Sequence, residues 1–328
     1  MRWLMGLVIM LGVLWCGYWF VGARGFEAGA AGWFANVQEA GKEARYERLD
    51  VRGFPYRFDL TVTAPEITDS NSGIAWQAPF FQILSLSYKP WHVIAAFPPE
   101  QRITLPQESM TLRSETLRAS VVVQPVPSLP LDRVVLIGDG LTLLGDHGWH
   151  MGADAVHLAT RRDETRQNTH EIGLEVTALR PDATLMSMVA GMLPEEVALL
   201  RVTAKFGLNA PIDRFALQTQ PQIALLELDE LRVEWGSMTV AAKGRVQADA
   251  SGFAEGEVVL QLENWRVALD VAEAMGLIAA RDRQTWDQAA SFLALGSSDK
   301  DAIQLPLQFR DGMTLIGPIP VSPAPRLR

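Results

Sequence analysis

From Trp3 to Val21 the chain reads WLMGLVIMLGVLWCGYWFV, with no charge inside the run, Arg2 before it and Arg24 after it. At about 1.5 Å per helical residue this covers roughly 28 Å, close to the hydrocarbon thickness of a bilayer. Nothing else in the chain constrains it as strongly, because whatever follows hangs from a membrane or was exported through one. Trp3, Leu11, Trp19 and Val21 mark the expected anchor, and the Trp and Tyr rings suit the membrane interface. A cleaved signal is the alternative. Its nearest small-x-small site, Ala28-Gly29-Ala30, lies well past the run, which favours a retained helix. Cys16, the one cysteine, follows Val13-Leu14-Trp15. A bulky Trp there does not suit lipoprotein processing, so Cys16 reads as a small apolar residue of the span. Positive-inside counting is nearly silent. The two-residue tail before the span favours N-inside, C-outside, which in a two-membrane bacterium means the inner membrane with the C-terminal part in the periplasm.

The 328 residues carry a formal net charge of −9. This argues against nucleic acid, since no basic stripe is available to neutralise phosphates. It also argues against a purely electrostatic grip on anionic headgroups. One cysteine permits no intrachain disulfide, and a segment of about 280 residues can build its core without one.

Helical periodicity continues past the span to about Gly41, with Phe26, Trp33, Phe34 and Val37 as a ragged apolar stripe. Period two then takes over. Tyr56, Phe58, Leu60 and Val62 alternate with polar residues, as expected of a half-buried strand. Leu84 to Tyr88, Leu117 to Val123, Ile172 to Val176 and Leu200 to Ala204 are further strands. Arg133–Ile137 and Leu141–Leu144 are expected to flank a Gly-Asp-Gly turn. The clearest stretch contains Leu231, Val233 and Trp235, then Met238 to Val246, then Val258, Leu260 and Leu262, joined by short polar turns. That is an antiparallel meander. A later strand, Ile303 to Phe309, carries Pro306 and is expected at an edge. One helix is expected after Pro181-Asp182 and a longer one from Asp270 to about Leu295.

Catalytic signatures are missing. His147, His150, His157 and His170 cluster in sequence beside Asp146 and Asp154. On a strand, however, His150 and His157 point to opposite faces, and His147-x-x-His150 lacks zincin spacing. There is no Gly-x-Ser-x-Gly elbow, and Gly138-Asp139-Gly140 lacks the third glycine of a nucleotide loop. The expectation is therefore no catalytic, metal or cofactor site and no enzyme, with a hydrolase of invisible site as the last alternative.

The span with Tyr18-Trp19, the segment Val51-Arg52-Gly53-Phe54-Pro55-Tyr56-Arg57-Phe58, Trp76-Gln77-Ala78-Pro79, Leu305-Pro306-Leu307 and Gly317-Pro318-Ile319-Pro320 together resemble the bacterial DUF2125 family, known chiefly from alphaproteobacteria. The meander from Leu226 to Trp265 also resembles AsmA-like proteins, membrane-anchored periplasmic proteins with a long β-groove implicated in envelope lipid homeostasis. The expected fold is mainly β: an N-terminal transmembrane helix, then an antiparallel, twisted β-sheet forming an open groove or half-barrel, with two or three covering helices. The expected parts are a cytoplasmic tail (1–2), the span (3–21), a helical stalk (22–44), a β-rich periplasmic domain (45–317) and a proline-rich tail (318–328). An apolar sheet face of Tyr56, Phe58, Leu60, Val62, Val233, Trp235, Leu260 and Leu262 is expected to bind phospholipid or another acyl-chain ligand. The alternative is a scaffold or adaptor that binds another envelope protein.

Overall fold

A computed structural model describes residues 1–39, 41–189, 191–295 and 299–327. The chain is mainly β and divides into two units, one of residues 1–125 with 136–148, the other of 126–135 with 149–328.

The first unit begins with α1 (Arg2–Glu39). Short strands follow: β1 (Glu43–Arg45), β2 (Arg48–Arg52), β3 (Arg57–Thr63), β4 (Glu66–Asp69), β5 (Ile74–Gln77), β6 (Phe80–Leu86), β7 (Lys89–Ala96), β8 (Glu100–Leu105), β9 (Glu108–Arg113) and β10 (Thr116–Val123). They pair antiparallel as β2–β3–β6–β7–β10 and as β1–β4–β5–β8–β9. These are long strands, each broken once. β3 and β4 are two halves of one strand, paired against the two halves β6 and β5 of the next. The registers Thr63↔Phe80 and Glu66↔Gln77 continue straight through the break.

Proline causes much of the interruption. Pro65, Pro79, Pro98 and Pro99 stand in the breaks and cannot donate to a ladder. Pairing survives through neighbours: Ala64 N–H donates to the Pro79 carbonyl at 2.9 Å, and Ala78 N–H to the Pro65 carbonyl at 3.2 Å. Ala64 takes φ +47, a left-handed conformation costly for a residue with a Cβ. Its effect is to shift the phase of alternation. In a regular strand Ile67 would face away from Leu60 and Val62. After the break it packs with them, together with Phe81 and Ile83 from the neighbouring strand.

In the second unit β12 (His150–Arg162), β13 (Thr169–Leu179), β14 (Val197–Leu208), β15 (Ile223–Trp235), β16 (Met238–Ala248), β17 (Ala254–Glu263), β18 (Ala302–Arg310), β19 (Met313–Ile316) and β20 (Ile319–Pro323) pair strictly in sequence order, all antiparallel. The expected meander is present and begins earlier than Leu226. Its register aligns Leu174, Val202, Leu231, Ala242, Leu260 and Leu305 across one face. The other face is laced by ion pairs: Arg161–Glu171 at 2.6 Å, Lys205–Glu171 at 3.1 Å, Arg201–Glu175 at 2.8 Å and Arg245–Glu227 at 3.0 Å. The Arg161 guanidinium, then Lys205, holds the Glu171 carboxyl below its ordinary range. Such exposed pairs fix register more than they stabilise.

Helices α2 (Ala183–Met188), α3 (Ala216–Thr219), α4 (Trp265–Ala274) and α5 (Arg283–Leu295) interrupt this meander. Asp182 caps α2, its carboxylate accepting from Thr184 N–H at 2.8 Å. The single long helix expected from Asp270 to Leu295 is instead two helices, α4 and α5. Gly276, at φ +71, follows the end of α4, and a 3-10 turn at Ala280–Asp282 precedes α5. The expected Gly-Asp-Gly turn is not a turn either. One continuous strand, β11 (Leu131–Gly145), runs through it. Its latter part pairs with β9. Gly140 sits at φ +58, where a Cβ would come within 2.7 Å of Glu115. Pro306 lies opposite Val259 of β17, while β19 pairs only from Leu307 onward. Pro306 thus has a ladder on one side only, which suits a residue without an N–H. The proline-rich end forms β20 and is held further by Ala324 N–H donating to the Gly312 carbonyl at 2.8 Å. Arg328 lies outside the described residues.

Candidate apolar ligand site

The site of interest lies where α1 meets the broken sheet of the first unit. Trp19, Ala23, Phe26, Ala30, Phe34 and Val37 recur every three or four residues, so they form one stripe on α1. At its lower end Trp19 lies edge-on to Phe54 at 5.3 Å and donates from Nε1 to the Arg57 carbonyl at 2.8 Å. Tyr18 Oη donates to the Ser87 carbonyl at 2.5 Å, and Trp15 Nε1 to the Pro55 carbonyl at 3.1 Å. Phe58 is 1% exposed, with Phe26 at 5.0 Å and Trp19 at 6.0 Å between ring centroids. Gly22 makes room for it: a Cβ there would stand 2.4 Å from Phe58 Cζ. At the upper end Phe34, Val37, Ala44, Leu60 and Val62 close a second cluster, and Gln38 Nε2 donates to the Ala44 carbonyl at 2.6 Å.

Between these two clamps the helix carries small residues at Gly29 and Ala30. A cavity of about 680 Å³ remains. Phe26, Gly29, Ala30, Trp33 and Phe34 line it from α1. Leu60, Val62, Pro65, Ile67, Trp76, Phe81, Ile83, Val93 and Phe97 line it from the sheet. Phe81 stands 5.0 Å from Phe97 and edge-on to Trp76 at 6.0 Å. Trp76 Nε1 is engaged by Gln101 Oε1 at 3.0 Å, so the indole turns an apolar surface inward. None of these lining side chains carries a titratable group. The volume and lining match what an apolar ligand requires, and these lining side chains include none of the groups used in acid–base or nucleophilic chemistry.

The expected sheet face resolves into separate places. Leu60 and Val62 line the cavity, and Phe58 sits beneath α1. Tyr56 is not on the face: it precedes β3 in a tight turn, its N–H donating to the Gly53 carbonyl at 3.1 Å, and is 66% exposed. Gly53 at φ +102 makes that turn, since a Cβ would press to 2.9 Å on the Arg57 carbonyl. Val233, Trp235, Leu260 and Leu262 belong to the second unit. There α2 and α4 pack on Val233 and Trp235, and α4 and α5 on Leu260 and Leu262. Trp235 Nε1 donates to the Pro194 carbonyl at 2.7 Å. Of the anchor residues, Trp3, Leu11 and Val21 are exposed, whereas Trp19 is buried against the sheet. Strand alternation does not single out Ile67, Trp76, Phe81, Ile83, Val93 and Phe97; the phase shift at Ala64 is what brings Ile67 to the side of Leu60 and Val62.

His147, His157 and His170 have separate surroundings. His147 Nδ1 is 3.0 Å from Glu108 Oε1 at the surface. His157 faces Glu175 across β12 and β13. His170 is buried and stacked on Phe206 at 5.7 Å, with no hydrogen-bond partner for Nδ1 among the described residues. Burial, and then the charge of Arg162, lowers its pKa. The unfolded chain therefore takes up this proton more readily than the folded one, and stability falls as pH drops below about 6.5. His170→Phe should flatten that dependence. Denaturant unfolding at pH about 7.5 and about 5.5 checks it, and an unchanged difference between the two would refute it. Among the described residues no three His, Cys, Asp or Glu stand close enough to hold a metal ion.

Fold and site together define a class: an apolar helix long enough to cross a bilayer, whose second half is packed into an antiparallel sheet around an apolar cavity. Within that class the chain belongs to the DUF2125 family, described as an uncharacterized protein conserved in bacteria, whose profile matches residues 19–325. The match begins at Trp19, the first residue of α1 buried against the sheet. Comparison with curated proteins and with solved structures found no match.

Proposed function

We propose that this chain is an anchored, non-enzymatic envelope protein that binds the acyl part of a lipid in the cavity beneath α1, with both β-units on the periplasmic side of the inner membrane. The observation that carries this reading is the cavity of about 680 Å³ with no charged side chain in its wall. Each methylene moved into it from water contributes about 0.8 kcal/mol. The helix that walls the cavity is the same one that enters the bilayer, so an acyl chain need not cross open water to reach it. Such a protein holds lipid for envelope maintenance or passes it on.

A photoreactive phenylalanine analogue at Phe81 or Phe97 of the full-length chain, reconstituted in phospholipid vesicles, is expected to crosslink phospholipid. The same analogue at Leu262, under the helices of the second unit, is expected to give none. Absence of lipid adducts at both cavity positions would overturn the proposal.

A further inference from the structure

We infer that the base of the first unit, at the turns 53–56 and 87–88, is seated at the acyl–headgroup boundary of the bilayer that α1 enters, so that this part of the sheet is itself a membrane-contacting surface. The argument is one of length. α1 is unclasped only from Trp3 to Leu14, because from Trp15 onward its rings bond to the carbonyls of Pro55, Arg57 and Ser87. Twelve helical residues reach about 18 Å. A hydrocarbon core of about 30 Å needs some eight residues more, which brings the span to about Gly22. The two turns are fixed to that part of the helix and must lie at the same depth.

The side chains at that depth fit the location. Phe54 is 50% exposed, Tyr88 61% and Phe20 59%, and the turn residue Tyr56 stands out further still. Phe20 and Phe54 stack at 5.9 Å with 25° between their planes. Such exposure has no use in water, but a belt of Tyr, Trp and Phe rings is what the acyl–headgroup boundary favours. Arg24, exposed just beyond Val21, is the first charge after the run and falls at headgroup level. Ser87 locks the two turns together, its N–H donating to the Tyr56 carbonyl at 2.9 Å and its Oγ to the same oxygen at 3.0 Å. The base therefore enters as one body. The opposite end of the unit stays in water. The turn at Asn71 follows Asp69, which pairs with Lys42 beyond the far end of α1 at 3.0 Å.

The test uses the full-length chain with Cys16→Ser, reconstituted in bilayers of phosphatidylethanolamine and phosphatidylglycerol. Single spin labels are placed through Leu11→Cys, Tyr56→Cys, Tyr88→Cys or Asn71→Cys. Tyr56 and Tyr88 stand in the open, so labels there leave the packing intact. The readout is collision with oxygen relative to a water-soluble nickel chelate. The ratio should be highest at Leu11, intermediate at Tyr56 and Tyr88, and lowest at Asn71. If Tyr56 and Tyr88 match Asn71 while Leu11 is deep, the inference fails and anchoring by α1 stands. An aqueous signal at Leu11 would overturn both. Neither outcome decides whether the cavity takes lipid, which the crosslinks at Phe81 and Phe97 read separately.

Discussion

Phe58→Ala will destabilise the first unit by about 3–5 kcal/mol, the range for deleting a buried aromatic ring. Phe58 is the point at which α1 and β3 hold each other, touched by Tyr18, Trp19 and Phe26. Its loss leaves a void against Gly22, where no side chain from the helix can relax inward. Gly22→Leu in the otherwise unchanged chain will also destabilise, by about 1–3 kcal/mol, because the new side chain meets the Phe58 ring. Together the two should partly compensate, with a coupling of about 0.5–3 kcal/mol, since leucine then occupies space the ring vacated. Denaturant unfolding of the detergent-solubilised chain measures all three. A Phe58→Ala cost below about 1 kcal/mol would show that α1 is not held here. Strict additivity of the pair would show that Gly22 and Phe58 do not meet.

The second large effect is at Trp265. It is fully buried at the start of α4, among Leu262, Leu269, Ala290, Ala294 and Ile303. Its Nε1 donates to the Lys300 carbonyl at 3.1 Å, and the Arg266 guanidinium covers its ring at 4.2 Å. Trp265→Ala should cost about 3–5 kcal/mol and loosen both α4 and α5 from β17 and β18. Trp265→Phe separates the contributions: it keeps much of the ring and loses the hydrogen bond to the Lys300 carbonyl, which water can replace, at a cost of about 0.5–1.5 kcal/mol. Protection of α4 and α5 amides from hydrogen exchange should fall sharply in the alanine variant and modestly in the phenylalanine variant. Equal loss in both would locate the effect in the hydrogen bond rather than in packing.

Much of this architecture was legible where alternation is regular. Leu231-Val233-Trp235 and Val258-Leu260-Leu262 read as neighbouring strands because each keeps one phase from end to end. The first unit was harder, because Ala64-Pro65 and Ala78-Pro79 shift the phase in mid-strand. Leu60 and Ile67 are seven apart, an odd spacing that period two assigns to opposite faces. The cavity could not be read from strands at all. Five of its fourteen lining residues come from α1, and the room inside comes from the small size of Gly29 and Ala30. The stripe of Phe26, Trp33 and Phe34 was visible, but its partner lay 26 or more residues away in the sequence. The division of the expected long helix into α4 and α5 turned on Gly276, which sits within an otherwise apolar periodic pattern.

The last strand, β20, has a consequence for how far this sheet can grow. Every earlier strand of the meander was a template on which the next one could form. β20 carries Pro320 and Pro323, opposite Leu315 and Met313. Two of its five residues thus offer no N–H to a newcomer. An unpaired, regular edge would recruit the first strand of another copy and turn the meander into a fibre. With two prolines among its five residues, β20 is a poor template for a further strand.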